Sequence, residues 1–77
     1  MPKLGTLVSV DWVDITSTVN GTLEDARPAP CTTTGRLVKN TEEFIVIATS
    51  IFHDPGEILS GDFVAIPVGV VLKVARI

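Results

Sequence analysis

From Thr6 to Val13 the chain reads Thr-Leu-Val-Ser-Val-Asp-Trp-Val, with Val8, Val10 and Trp12 on one face and Leu7, Ser9, Asp11 and Val13 on the other. A period of two is the mark of a half-buried strand. Four further stretches read the same way. Thr32–Lys39 is rich in β-formers and carries Gly35, a residue that inside a strand signals a bend or a close backbone approach. Phe44–Ile51 is dense in β-branched residues, with Ile45, Ile47, Thr49 and Ile51 on one side. Phe63–Ile66 is a short apolar strand. Val70–Ile77 sets Val70, Leu72, Val74 and Arg76 against Val71, Lys73, Ala75 and Ile77. No long helix is predicted, so the expected class is all-β with five strands.

The connections constrain how those strands are joined. Asn40–Glu43 reads as a tight polar hairpin loop, and Pro67-Val68-Gly69 as a turn of a few residues in which Gly69 supplies conformational freedom. His53-Asp54-Pro55-Gly56-Glu57 has the Pro-Gly order of many β-turns. The long connection is Asp14–Pro30, which exceeds most structureless loops. Within it Thr22-Leu23-Glu24-Asp25 resembles a capping box and predicts one helical turn. Arg27-Pro28-Ala29-Pro30 then gives a stiff, extended approach to the second strand. A bent five-stranded antiparallel sheet of this size is expected to roll into a small barrel, because closure protects its edges.

Size now matters. At 77 residues the chain is read as one domain, residues 1–77, that buries only roughly 60–65% of its unfolded surface. Yet 45% of its residues are hydrophobic and its mean hydropathy is +0.45. Small domains make up such a deficit with disulfides, metals or oligomerisation. Cys31 is the single cysteine and His53 the single histidine, which excludes an internal disulfide and a zinc site of ordinary spacing. Self-association is the remaining device. No signal peptide is expected at Met1–Thr6. The longest apolar run, Phe63–Leu72, is interrupted by Pro67 and Gly69 and falls short of the about 20 residues a bilayer span needs. A lone thiol suits a reducing compartment, so a cytoplasmic location is expected, the host cytoplasm for a viral gene.

The net charge is −3, which argues against an indiscriminate hold on phosphate backbones. The charges are unevenly spread, however. Acidic residues gather in predicted loops at Glu24-Asp25, Glu42-Glu43 and Asp54 to Glu57, whereas Arg36, Lys39, Lys73 and Arg76 fall in or beside predicted strands.

Two segments carry a family resemblance. Gly35-Arg36-Leu37-Val38, a short polar loop and Phe44-Ile45-Val46-Ile47 look like the first Sm motif. Ala65-Ile66-Pro67-Val68-Gly69-Val70-Val71-Leu72 looks like the second. The chain as a whole resembles the small Sm-like (LSm) proteins of phage, including cyanophage, which share a Trp-x-Asp strand, here Trp12-Val13-Asp14, and an Ile-Pro-x-Gly turn, here Ile66 to Gly69. The resemblance implies an Sm-like, SH3-like barrel, a homo-oligomeric ring built by edge-strand pairing, and a surface for RNA or single-stranded DNA. Uridine-binding members use an Asp and an Asn around the first loop and a basic residue before the glycine of the second. The corresponding positions here are Thr41, a deleted Asn, and Pro67 or Val68, so the base pocket does not carry over.

The residues that could make a nucleic-acid surface are Lys39, Asn40, Phe44, Val68, Gly69, Lys73 and Arg76. For each lysine and arginine the plain alternative is solvated surface charge, and for Phe44 it is a core position. Trp12, beside Val8 and Val10, reads as core. Neither His53 nor Cys31 has a partner that would activate it, and no cofactor is expected. Asp11 and Asp14, three residues apart on a strand, face opposite sides and do not make a carboxylate pair. No nucleophile signature or phosphate-cradling glycine loop occurs. The expected function is therefore non-catalytic: a ring-forming Sm-like protein binding RNA or single-stranded DNA weakly and with little sequence preference, in phage RNA or DNA processing. The alternative is a phage structural or adaptor protein that makes only protein contacts.

Overall fold

The computed structural model describes residues 1–53 and 59–77. Five strands form one antiparallel sheet: β1 (Leu7–Asp14), β2 (Ala29–Asn40), β3 (Phe44–Phe52), β4 (Ser60–Pro67) and β5 (Val71–Arg76), in the order β4-β3-β2-β1-β5. Two short 3-10 turns, Leu23–Asp25 and Val68–Val70, interrupt the connections, and the described residues contain no α-helix. The five-stranded antiparallel expectation stands.

The alternation along β1 does what a period of two requires. Val8 and Val10 are completely buried and Trp12 packs against the cluster they start. Leu37 from β2, Ile45 and Ile47 from β3 and Ile66 from β4 complete that core, with Val64, Val70, Val71 and Val74 partly buried around it. Each such side chain contributes about 1.5–3 kcal/mol by leaving water. The core is small, and Ile15, Val19, Leu23, Phe52, Leu72 and Ile77 are among the large apolar side chains left exposed.

Strand β2 is the hinge of the sheet. Its first eight residues pair with β1, from Asp14 opposite Ala29 to Leu7 opposite Arg36, and its last part pairs with β3, from Arg36 opposite Ala48 to Asn40 opposite Ile45. The ladder slips between Leu37 and Lys39. Gly35 sits at the crossover, where a Cβ would run into the Ala48 carbonyl oxygen and approach Ile47 Cγ2 to 2.8 Å. Only a residue without a side chain lets the two backbones come so close.

One expectation is corrected. No ladder joins β4 to β5, so the sheet is not closed into a barrel and keeps two edges. The reason lies in the connection. Pro67 has no N–H to donate, and Val68–Val70 turns the chain from the β3 side of the core to the β1 side, leaving three strands between β4 and β5.

Strand limits differ from expectation mainly at two places. β4 begins at Ser60 rather than Phe63, because Ser60, Gly61 and Asp62 pair with Phe52, Ile51 and Ser50 in spite of their polar character. β2 begins at Ala29, with Pro30 opposite Val13. There β2 has β1 as its single neighbour, a setting in which a strand tolerates proline.

The connection from Ile15 to Pro28 projects from one end of the β1–β2 ladder, and the molecule measures 53 × 23 × 22 Å. The helical turn expected there is present at Leu23–Asp25, but Thr22 makes no cap bond to the backbone; its hydroxyl donates to Asp25 Oδ2 at 3.1 Å instead. The expected Pro-Gly turn after His53 lies outside the described residues. Among the described residues no helix is long and apolar enough to cross a membrane.

Candidate nucleic-acid interface

Thr41 builds the β2–β3 loop. Its Oγ1 donates to the Phe44 carbonyl at 2.9 Å and accepts from the backbone N–H groups of Glu43 at 3.2 Å and Phe44 at 3.0 Å, while the Thr41 N–H also donates to the Phe44 carbonyl at 2.9 Å. A threonine hydroxyl has one proton and two lone pairs, so this one is fully used inside the turn. Thr41 therefore holds the loop.

The β4–β5 turn lies directly against that loop. Phe44 faces Pro67 as the first pair of the β3–β4 ladder, and the Val68 N–H donates to the Glu43 carbonyl at 2.9 Å. Lys39 brings its Nζ over the Phe44 ring, 5.4 Å from the centroid, a distance at which the ring quadrupole attracts the cation. Asn40 is exposed and pairs with Ile45. Gly69 is exposed in the turn, with no atom within 4 Å of where its Cβ would stand. The fold therefore gathers Lys39, Asn40, Phe44, Val68 and Gly69 at two joined loops. Exposed Glu42 and Glu43 lie in the same loop and weaken the local positive field.

Lys73 and Arg76 stand apart. In the β1–β5 register Lys73 is opposite Asp11 and Arg76 opposite Val8, so the pleat sends them to opposite faces of β5. The Asp11 carboxylate across from Lys73 also accepts a hydrogen bond from the Thr32 hydroxyl at 2.9 Å. Arg76 lines a shallow depression with Met1, Pro2, Lys3 and Thr6. Arg36 donates from Nη1 to the Gly5 carbonyl at 2.9 Å and fastens the N-terminal segment beside β2.

The other singled-out residues take structural places. Trp12 donates its indole N–H to Thr33 Oγ1 at 2.9 Å. Cys31 is half-buried, with its thiol 3.6 Å from the Ala29 carbonyl, and His53 is exposed at the end of β3. Among the described residues no three His, Cys, Asp or Glu side chains converge on a point that could hold a metal ion.

Two features of the site escaped the sequence reading: the closed hydrogen-bond set of Thr41 and the bond from Val68 to Glu43. The Thr-x-x-Phe spacing across a polar loop carries a signal for the first, since Ser and Thr hydroxyls habitually bond backbone groups two or three residues on. The second depends on tertiary placement and leaves no local trace. No family model matches the chain, and no curated protein or solved structure is significantly similar to it.

Proposed function

We propose that the chain is an Sm-like protein that assembles into a homo-oligomeric ring and binds RNA or single-stranded DNA weakly, at the two loops joined by Val68 and Glu43. The observation that carries this reading is that 2.9 Å bond, which sets Lys39, Asn40 and Phe44 beside Val68 and Gly69. Phe44 offers an aromatic face of the kind on which bases stack without regard to sequence, and Lys39 beside it offers a cation for phosphate. With Lys73 and Arg76 on opposite faces of β5, they do not both join this surface.

Ring assembly would use the two free edges. β4 of one copy adds to β5 of the next by main-chain hydrogen bonds, and a head-to-tail contact closes when its rotation divides the circle. Repetition is what makes one lysine per chain sufficient, because a local field and not the net charge of −3 steers a polyanion. With Thr41 consumed by its own turn and Glu42 and Glu43 nearby, binding is expected to be weak, sequence-tolerant and lost as salt rises. The reading extends to a role in phage RNA or DNA processing in the host cytoplasm.

Filter binding of short single-stranded RNA and DNA at two salt concentrations, with light scattering for mass, tests this. Retention at low salt that falls at high salt and with Lys39→Glu, in a species several chains in mass, supports it. A monomer that retains neither strand at low salt overturns it in favour of a non-catalytic structural or adaptor protein. One observation favours that second reading: Ile15, Val19 and Leu23 are 89%, 82% and 87% exposed on the projecting connection.

A further inference from the structure

The two ends of the β1–β2 ladder carry opposite chemistry. At one end the Ile15–Pro28 arm exposes Ile15, Val19 and Leu23 together with Glu24 and Asp25, and Asp14 enters it. Arg27 is its single cation. The arm has its own internal bonds: the Thr16 hydroxyl donates to the Arg27 carbonyl at 2.6 Å, and Ala26 N–H closes the 3-10 turn on Leu23 at 3.1 Å. These bonds tie the two feet of the arm together and close its 3-10 turn, which lowers the ordering that docking would require.

At the other end the ladder finishes at Leu7 opposite Arg36, with the Ile77 N–H bonded to the Leu7 carbonyl at 3.1 Å. Lys3 and Arg76 line one depression there, Arg36 stands with Leu7 on the other face of the ladder, and Leu4, Leu7 and Ile77 are exposed. Residues 1–10, 33–38 and 74–77, which form the β1, β2 and β5 part of this end, contain no Asp or Glu, and Thr49, Ser50, Ile51 and His53 border Leu7 and Arg36 beside them. The eight residues of β1 separate the two ends by roughly 23 Å at the usual rise per strand residue.

We infer that the acidic, apolar arm of one copy docks end-to-end on the basic, apolar end of a second copy. Two features of the basic end select a second copy over other occupants. Its exposed aliphatic side chains match the exposed aliphatic side chains of the arm, and the charges around both are of opposite sign. The contact joins different surfaces on the two copies, so it propagates rather than closing a symmetric pair. It is also independent of β4–β5 edge pairing: it acts between whichever units that pairing leaves, single chains or rings.

Sedimentation velocity across a wide concentration range, at low and high salt, reads this contact as association of the smallest species present. The parent protein is expected to gain mass with concentration and to lose it as salt rises. Glu24→Lys with Asp25→Lys, and separately Lys3→Glu with Arg76→Glu, should each weaken association about tenfold, through lost on-rate and like-charge opposition. An equimolar mixture of the two variants should associate again, because each end then meets its opposite. Both variants alter exposed side chains, and an unchanged Trp12 emission verifies their fold. The inference is overturned by a parent mass that does not vary with concentration, by variants that associate as the parent does, or by a mixture that stays dissociated. It is also overturned if Lys3→Glu with Arg76→Glu loses single-strand binding while its association is unchanged, which would make this end a nucleic-acid surface.

Discussion

The Val68 N–H donates to the Glu43 carbonyl at 2.9 Å and so ties the β4–β5 turn to the β2–β3 loop by a single main-chain bond. Val68 is the first residue of its 3-10 turn, and Pro67 before it has φ −58° and ψ 136°. Proline suits the first position of a helical turn, and extended backbone suits the residue before a proline. Val68→Pro therefore removes the donor with little conformational conflict. It should cost about 0.5–1.5 kcal/mol, the net worth of one hydrogen bond, read as a lower urea midpoint at unchanged slope.

Gly35→Ala tests the bend in β2. The added methyl would meet the Ala48 carbonyl oxygen, which is backbone, and Ile47 Cγ2, which is packed in the core. Neither moves without shifting β3. A loss of about 1–3 kcal/mol is expected from such overpacking, and a calorimetric midpoint equal to the parent's would contradict this account of the bend.

The buried cluster gives a third prediction. Leu37→Ala removes a fully buried side chain at the centre of a core drawn from four strands. Such truncations cost about 2–5 kcal/mol, a large share of the stability of so small a domain. Ile47→Val, which removes one methylene, should cost about 0.5–1.5 kcal/mol. Denaturant titration of the pair should preserve that ranking.

Trp12 is the single tryptophan, so its fluorescence reports its surroundings without assignment. Thr33→Val removes the acceptor of the indole N–H and leaves that donor half-buried. A loss of about 1 kcal/mol is expected, together with a shift in the folded-state emission. An emission spectrum identical to the parent's would mean that the indole N–H has no partner at Thr33.

Thr41→Ala removes every bond made by the hydroxyl that organises the β2–β3 loop. A cost of about 1–2 kcal/mol is expected, with Thr41→Ser retaining most of the stability because it keeps the oxygen. If Phe44 takes part in binding, the alanine variant should also weaken retention of a single strand at low salt.

The strands were legible because their side chains alternate: Val8, Val10 and Trp12 announce the inner face of β1, and the structure buries or half-buries all three. Gly35 was legible for a related reason, since a glycine amid β-formers has no local purpose. What lay hidden depended on partners distant in sequence. Ser60, Gly61 and Asp62 are poor strand residues and pair because β3 continues past them. Closure failed as an expectation because it depends on whether β4 meets β5, and nothing within either segment specifies that. In the candidate site, Lys39, Asn40 and Phe44 are near neighbours in the chain and could be grouped by reading. Lys73 and Arg76 could not, since assigning them needs the register against β1.

The pairing of β5 with β1 has a consequence for how the chain comes to be folded. Val10 gains its second neighbour only when Val74 reaches it, whereas the β2–β3 hairpin can form as soon as its own residues exist. Contacts so remote in sequence slow folding, because loop closure must precede any gain from them. Until β5 is in place, β1 shows an unpaired edge to its surroundings, the kind of species that aggregates at high concentration. Crowded synthesis of this chain should therefore be limited by the arrival of its last strand, and loss of Val74–Arg76 should be more damaging to solubility than loss of the much longer arm.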